Sequence, residues 1–260
     1  MSEFDAATAV HRVAEGRYRA DLDPGFAFGG VINGGYLMAL LTKAAHDASP
    51  FPHPISTATT FLRAGRGGPA EITVETLRAG RSVATLRLAV VQEGRTLLDA
   101  TMTTGTLTAG AAAGWAGAAP AMPALDECST PARRPGGDSF ADRVELRFDT
   151  STLGWLDGRP IGRPEMRGWF RLPGHEPDAA VLALAVDALP PVVLNLGVKG
   201  WAPTVELTWH MRGVPAPGWL AMHAGGRLFS DGWFDEEVEI WDSAGRLVAQ
   251  SRQIARAGRG

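Results

Sequence analysis

Two runs of this sequence are apolar on every face a helix would present: YLMALLTKAA (36–45) and AAVLALAV (179–186). A helix without a solvent face must be covered on nearly all sides by other elements. The chain that follows each run is suited to that task. After the first come ISTATTFLR, AEITVETLR, SVATLRLAVVQ and RTLLDATMTTGTL; after the second come PTVELTWHMR, WLAMHAGGRLF, WFDEEVEIWD and RLVAQSRQIA. These segments are short and rich in β-branched or aromatic residues. Gly-containing turns such as RAGRGG, RAGR and QEGR break them, as in antiparallel strands. GRYRADL reads as a leading strand before the first helix, which is expected over roughly 34–47. DRVELRFD and MRGWFRLPG lead the second, where Pro177 suits the first helical turn and Pro190–Pro191 force a stop.

The two blocks therefore share one order: leading strand, central helix, four-strand antiparallel meander. Residues repeat as well, FLRAG (61–65) answering HMRGV (210–214) and VVQEGRTLLDA (90–100) answering EIWDSAGRLVA (239–249), at an offset of roughly 150. Between the blocks lies TAGAAAGWAGAAPAMPALDECSTPARRPGGD (108–138), where Ala, Gly and Pro dominate and no period persists. It reads as a linker, partly disordered. The expected organisation is an α+β double hotdog: residues 1–107, the linker 108–138, and residues 139–260. Each repeat has one long helix wrapped by an antiparallel sheet.

A net charge of −3 argues against a general nucleic-acid or membrane-surface binder, which would favour a basic patch. The lone Cys128 excludes an internal disulfide and suits a reducing cytosol. MSEFDAATAV has no basic stretch leading into an apolar one, and no run approaches the roughly 18 apolar residues of a membrane span. A cytoplasmic protein is expected. Exposed sheet edges invite pairing, so a homo-oligomer is expected too.

Over both halves the sequence resembles the acyl-CoA thioesterase II family, double-hotdog hydrolases of acyl-CoA. The resemblance is carried by FGGVINGG, FLRAG and VETLRAGRSVATLRLAVVQEGRTL in the first half, and by AVDALPP, PTVELTWHMR and GRLVAQSRQIAR in the second. It implies a catalytic trio of Asp187 on the second helix, Thr204 opening the next strand and Gln253 on the last strand. Thr208, further along the same strand and expected on the same side, competes for the place of Thr204. The sequence departs from the family in the short apolar loop VVLNLGVKGW and in NGG where relatives carry a VGQ-like run. NGG is similar instead to the HGG-type helix entry of single-hotdog thioesterases.

Those single-hotdog enzymes pair glycine amides at one helix start with a carboxylate about nine residues into the partner's helix. Here the residue nine after Asn33 is Thr42, and nine before Asp187 stands Asp178, followed by Ala179–Ala180 rather than two glycines. Each half has lost what the other keeps, which implies one working site and one dead one. Gly34 and Gly35 can then offer N–H groups, at the positive end of a helix, to the oxyanion of thioester hydrolysis, with Asn33 beside them. The plainer reading is that these glycines, with Gly30, permit a tight helix entry. Asp187 is expected to accept a proton from water or orient it, with Thr204 and Gln253 holding the same water; direct attack by Asp187 stays open. No Ser lies in a G-x-S-x-G turn.

Arg78, Arg81 and Ser82, in LRAGRS, sit at a strand-to-strand turn that suits CoA phosphates or is simply solvated. The six histidines show no metal spacing, so neither metal nor cofactor is expected. Trp201, Trp209, Trp219, Trp233 and Trp241 are expected mainly in the core. The leading reading is an acyl-CoA thioesterase. The alternatives are a non-catalytic acyl-thioester or lipid binder, or a 3-hydroxyacyl thioester dehydratase, whose usual His–acid pair neither helix offers.

Overall fold

Both apolar runs are helices, and they lie against each other. The structure, a computed structural model, describes residues 1–130 and 139–258. Its first part comprises α1 (Glu3–Ala7), β1 (His11–Ala14), β2 (Arg17–Leu22), a small hairpin of β3 (Ala27–Phe28) and β4 (Val31–Ile32), and α2 (Gly34–Ala48). Then follow β5 (His53–Phe61), β6 (Gly68–Ala79), β7 (Ala84–Gln92) and β8 (Arg95–Gly105). The second part comprises α3 (Phe140–Arg143), β9 (Glu145–Phe148), β10 (Glu165–Arg171) and α4 (Ala179–Ala185). It continues through β11 (Thr204–Met211), β12 (Leu220–Gly225), β13 (Phe229–Ser230), β14 (Trp233–Trp241) and β15 (Leu247–Arg256).

The strands outside the β3–β4 hairpin form one sheet. Its order is β1-β2-β6-β7-β8-β5, then β11-β15-β14-β12-β10-β9, with β13 paired to β14. All of its pairings are antiparallel. The expected four-strand meanders need a correction. The strand after each helix, β5 or β11, crosses to the far side of the strands that follow it and pairs with the last of them, β8 or β15. β5 and β11 then pair with each other, Thr57–Thr60 against Glu206–Trp209, which makes the sheet continuous.

The inner face follows strand alternation: Tyr18, Ala20 and Leu22 on β2, Leu86, Leu88 and Val90 on β7, Leu207 and Trp209 on β11. Against it lie the two helices, with Tyr36–Leu41 and Ala180–Val186 all buried. They run antiparallel. The Asn33 side chain, at the start of α2, meets Asp187 just past α4, whereas Lys43 near the other end of α2 lies 3.5 Å from Asp178, the N-cap of α4. α4 is shorter than expected: Pro177 precedes its cap, and the helix ends at Ala185 with Val186 as its C-cap, so Asp187 stands on a turn. Of the five tryptophans, Trp209 and Trp241 are buried. Trp201 and Trp233 are exposed, in a loop and at the outer start of a strand, and Trp219 lies beneath the Arg171 and Arg147 guanidiniums.

The glycines of the helix entry do two separate jobs. Gly29 and Gly30, with φ of +57° and +83°, turn the β3–β4 hairpin. Gly34 and Gly35 have no positive φ; what they supply is space. A methyl on Gly35 would sit 2.5 Å from the Leu184 carbonyl and 3.1 Å from that of Ala183. Gly35→Ala is therefore expected to destabilise the fold by about 1–3 kcal/mol through overpacking against backbone. That exceeds the gain of up to about 1 kcal/mol in helix propensity. Thermal denaturation checks this; an unchanged or raised Tm would contradict so close a helix contact.

Candidate active site

The β3–β4 hairpin delivers Asn33 to the start of α2, where it has two tasks. Its Oδ1 accepts the Tyr36 N–H at 2.9 Å, capping the helix. Its Nδ2 donates to Asp187, to the backbone carbonyl at 3.0 Å and to Oδ2 at 3.2 Å. The Gly35 N–H donates to the same Oδ2 at 2.9 Å. A methyl on Gly34 would approach this oxygen to 2.9 Å and the Phe61 ring to 2.7 Å. The expectation of bare glycine amides is thereby corrected: the helix start faces a carboxylate of the same chain. The cause is the antiparallel helix pair, which sets the positive end of α2 against the segment leaving α4.

Asp187 retains some accessible surface, but its carboxyl is largely withdrawn from solvent. Burial pushes its pKa up to about 6, while the donors on Gly35, Asn33 and Gly34 pull it down and limit the rise. At neutral pH it is an ionised, poorly solvated acceptor.

The second group of residues lies on the sheet. Thr204 donates its hydroxyl to Gln253 Oε1 at 2.6 Å. Gln253 Nε2 donates to Glu236 Oε1 at 2.8 Å, and Glu236 Oε2 accepts the Val192 N–H at 2.8 Å. Register explains the grouping, because Glu236 on β14 is directly opposite Gln253 on β15. It also separates the two threonines. The β11–β15 register shifts between Thr204 and Glu206, so Val205 is an extra residue. Such a bulge resets the alternation. Thr204 joins Gln253 on the inner side, and Thr208 turns to the outer side and bonds Glu206 at 2.6 Å. The expectation that both face the same way is corrected.

Two hydrogen bonds bring the two groups together. The Ser251 hydroxyl, two residues before Gln253 on the same face, reaches the Val186 carbonyl at 3.5 Å. Val192, five residues beyond Asp187, bonds Glu236. Glu236 is 2% exposed, and its pKa is pushed up to about 7 by burial, with the Asp187 and Asp235 charges adding to the rise.

Arg78, Arg81 and Ser82 do not join this cluster. They are exposed at the β6–β7 turn, beside Ala84; Ala84 pairs with Thr104, whose hydroxyl meets Ser49, the C-cap of α2. That is the far end of a helix of 15 residues, roughly 22 Å at 1.5 Å per residue. The opposite end of the helix pair has other contents. Thr42 bonds back to Met38, and Asp178 caps Val181 and lies 3.5 Å from both Lys43 and His175. α1 covers it with Asp5, 3.5 Å from Lys43, and with Ser2, 3.0 Å from His175. A hollow of about 280 Å³ bordered by Glu206, Thr208, Arg252, Gln253 and Ile254 opens on the outer side of the sheet, away from Asp187. Among the described residues, no group of three or more His, Cys, Asp or Glu is arranged to hold a metal ion, and no helix is long and apolar enough to cross a membrane.

Comparison with known proteins gives two family matches: the acyl-CoA thioesterase N-terminal domain over residues 22–109 and the acyl-CoA thioesterase C-terminal domain over residues 119–257. An uncharacterized protein of Mycobacterium bovis is 31% identical over 280 residues, covering 97% of this chain and 94% of its own. Among solved structures, a protein provisionally named thioesterase II from Thermobifida fusca is 46% identical. It superposes with a TM-score of 0.94, over 100% of this chain and 98% of that one. A hot dog fold protein of unknown function from Alicyclobacillus acidocaldarius is 22% identical with a TM-score of 0.86, over 100% and 99% of the two chains.

Proposed function

The chain belongs to the acyl-CoA thioesterase II family, and from that premise we propose that it hydrolyses acyl-CoA to a free carboxylic acid and CoA. The observation that carries the reading is Asp187, an ionised carboxylate held by the Gly35 N–H and the Asn33 amide, on the same side of the sheet as the Thr204–Gln253 pair. Oδ2 accepts both of those bonds, and Oδ1 faces the water. Asp187 removes a proton as the water oxygen attacks the thioester carbonyl carbon. Thr204 accepts the other water proton in a hydrogen bond, which keeps the lone pair aimed. Collapse of the tetrahedral intermediate breaks the C–S bond, and the thiolate leaves and takes up a proton. A general base of this kind contributes about 10²–10⁴-fold. In this reading Gly34 and Gly35 bring α2 close to Asp187 and set its charge, rather than acting as an oxyanion hole.

The site draws on both halves of the chain, which supports reading the molecule as a double hotdog. The copies are residues 1–107 and 139–260, joined by 108–138; of that joining segment, 131–138 lie outside the described residues. The common strand connectivity of the halves favours this division. The end of the helix pair that holds Thr42, Lys43 and Asp178 is then the inactive counterpart of the site.

Thiol release from a panel of acyl-CoAs tests the function. A thioesterase liberates thiol and a binder or dehydratase does not, so absence of thiol across all chain lengths would reject the reading. Within the same assay, Thr204→Ala is expected to lower kcat about tenfold, whereas Thr208→Ala leaves it within twofold. These follow from a site hydrogen bond between neutral groups worth up to about 1.5 kcal/mol on one side and none on the other. Equal losses would remove Thr204 from the site.

A further inference from the structure

The inner face of β14 reads Phe234, Glu236, Val238, Ile240, and all four are buried. A carboxylate in the middle of an apolar stripe is costly unless its oxygens are satisfied. Here each oxygen has one partner, and the two partners belong to different parts of the site. Oε2 holds the Val192 N–H, at the end of the segment that carries Asp187, and Oε1 holds the Gln253 amide. We propose that Glu236 is a positioning residue of this active site: its carboxylate fixes which way the Gln253 amide points, and through it makes Thr204 purely an acceptor toward the attacking water.

The inference rests on the thioesterase reading above and follows from counting protons. An ionised carboxylate only accepts, so the end of Gln253 that meets Glu236 is the NH₂. The other end, Oε1, then faces Thr204 and takes its single hydroxyl proton at 2.6 Å. Toward any water, Thr204 Oγ1 has lone pairs only. Asp187, ionised, also accepts only. A water between them gives one proton to each and keeps a lone pair for the carbonyl carbon. If Gln253 is reversed, its NH₂ occupies the Thr204 oxygen, the hydroxyl proton turns to the water, and the lone pair needed for attack is tied up. Glu236 touches no substrate in this scheme. It acts through Gln253, and by holding Val192 it also ties the Asp187 segment to β14. The charged groups acting on it are Asp187 and its strand neighbour Asp235.

Glu236→Gln tests this. Glutamine at 236 meets two donors, Val192 N–H and Gln253 Nε2, with one acceptor oxygen, so Gln253 must turn over. The expected result is a folded protein with kcat down at least tenfold and KM within threefold, and partial recovery in Glu236→Asp, which restores an acceptor-only side chain. A second readout does not need substrate. The side-chain amide signal of Gln253 in ¹⁵N-labelled protein, identified by its loss in Gln253→Ala, is expected to exchange slowly with solvent and to shift in Glu236→Gln. An unmoved Gln253 signal overturns the proposal, whether or not kcat falls, and so does wild-type kcat in Glu236→Gln. Should Glu236→Gln not fold, the wild-type signal decides: a Gln253 amide held by Glu236 must exchange slowly at about pH 8, and exchange at the rate of a free side-chain amide overturns the assignment. If the wild type releases no thiol from any acyl-CoA while the signal responds, the thioesterase reading fails and the Glu236 clamp stands.

Discussion

Asp187→Asn is expected to lower thioester turnover by about 10²–10⁴-fold, the usual contribution of a general base, in a chain that still folds. The geometry makes the loss double. Gly35 and Asn33 both donate to Oδ2, so the amide oxygen of an asparagine settles there and its NH₂ takes the position of Oδ1. The group facing the water then no longer accepts a proton, and it donates a hydrogen bond to the lone pair that should attack. KM is expected to change little, since the carboxylate is engaged by protein donors rather than by substrate. Steady-state thiol release across the accepted acyl-CoAs measures this. A kcat within threefold of wild type would show that Asp187 does not act on the water.

Acidification is expected to silence the enzyme while stabilising its fold, relative to neutral pH, as far as Asp187 is concerned. Burial holds the Asp187 carboxyl at about 6, against 3.8 for an ordinary aspartate. Acting as the proposed base it must be ionised, and Glu236 must be ionised as well to hold Gln253, so kcat is expected to fall below about pH 7 and by at least about tenfold per pH unit below 6. Stability moves the other way. Between pH 3.8 and 6 the folded chain keeps a proton that the unfolded chain has released. The stabilisation is therefore fully present below 3.8 and is lost as pH rises through 6. The change is on the order of 2–3 kcal/mol, nearer the lower figure because Asp187 keeps some contact with solvent. Glu236, raised from 4.5 to about 7, adds a loss of the same sign. Asp187→Asn removes its share, so the inactive variant is expected to melt above wild type at pH 8 and to lose that advantage near pH 4. Paired melting curves at the two pH values check it; an advantage independent of pH would mean that ionisation of Asp187 costs the fold nothing.

What the sequence shows of this molecule differs from element to element. The helices were legible because YLMALLTKAA and AAVLALAV leave no polar face, and strand limits followed β-branched runs between glycines. The crossing of β5 and β11 to the middle of the sheet was not, because alternation tells a strand which face to bury and says little about its neighbours. In the site, Thr204 and Thr208 are both threonines of one strand, and the choice between them hangs on a bulge at Val205 that leaves no mark in composition. Glu236 did leave one: in WFDEEVEIW it falls in register with Phe234, Val238 and Ile240, an acid in an inward position. Arg78 and Arg81 look suited to phosphate, but their distance from Asp187 is set by which ends of two helices meet, a property of the assembled chain.

The unequal ends of the helix pair have a consequence for how such a molecule can change. In a dimer of identical subunits, any substitution is written into both symmetry-related places at once, so a residue useful at one is imposed on the other. A single chain that supplies both ends escapes this rule. Lys43, Asp178 and the α1 cover can specialise in holding the structure together, while Asn33, Gly35 and Asp187 keep a buried charge that the fold would be more stable without.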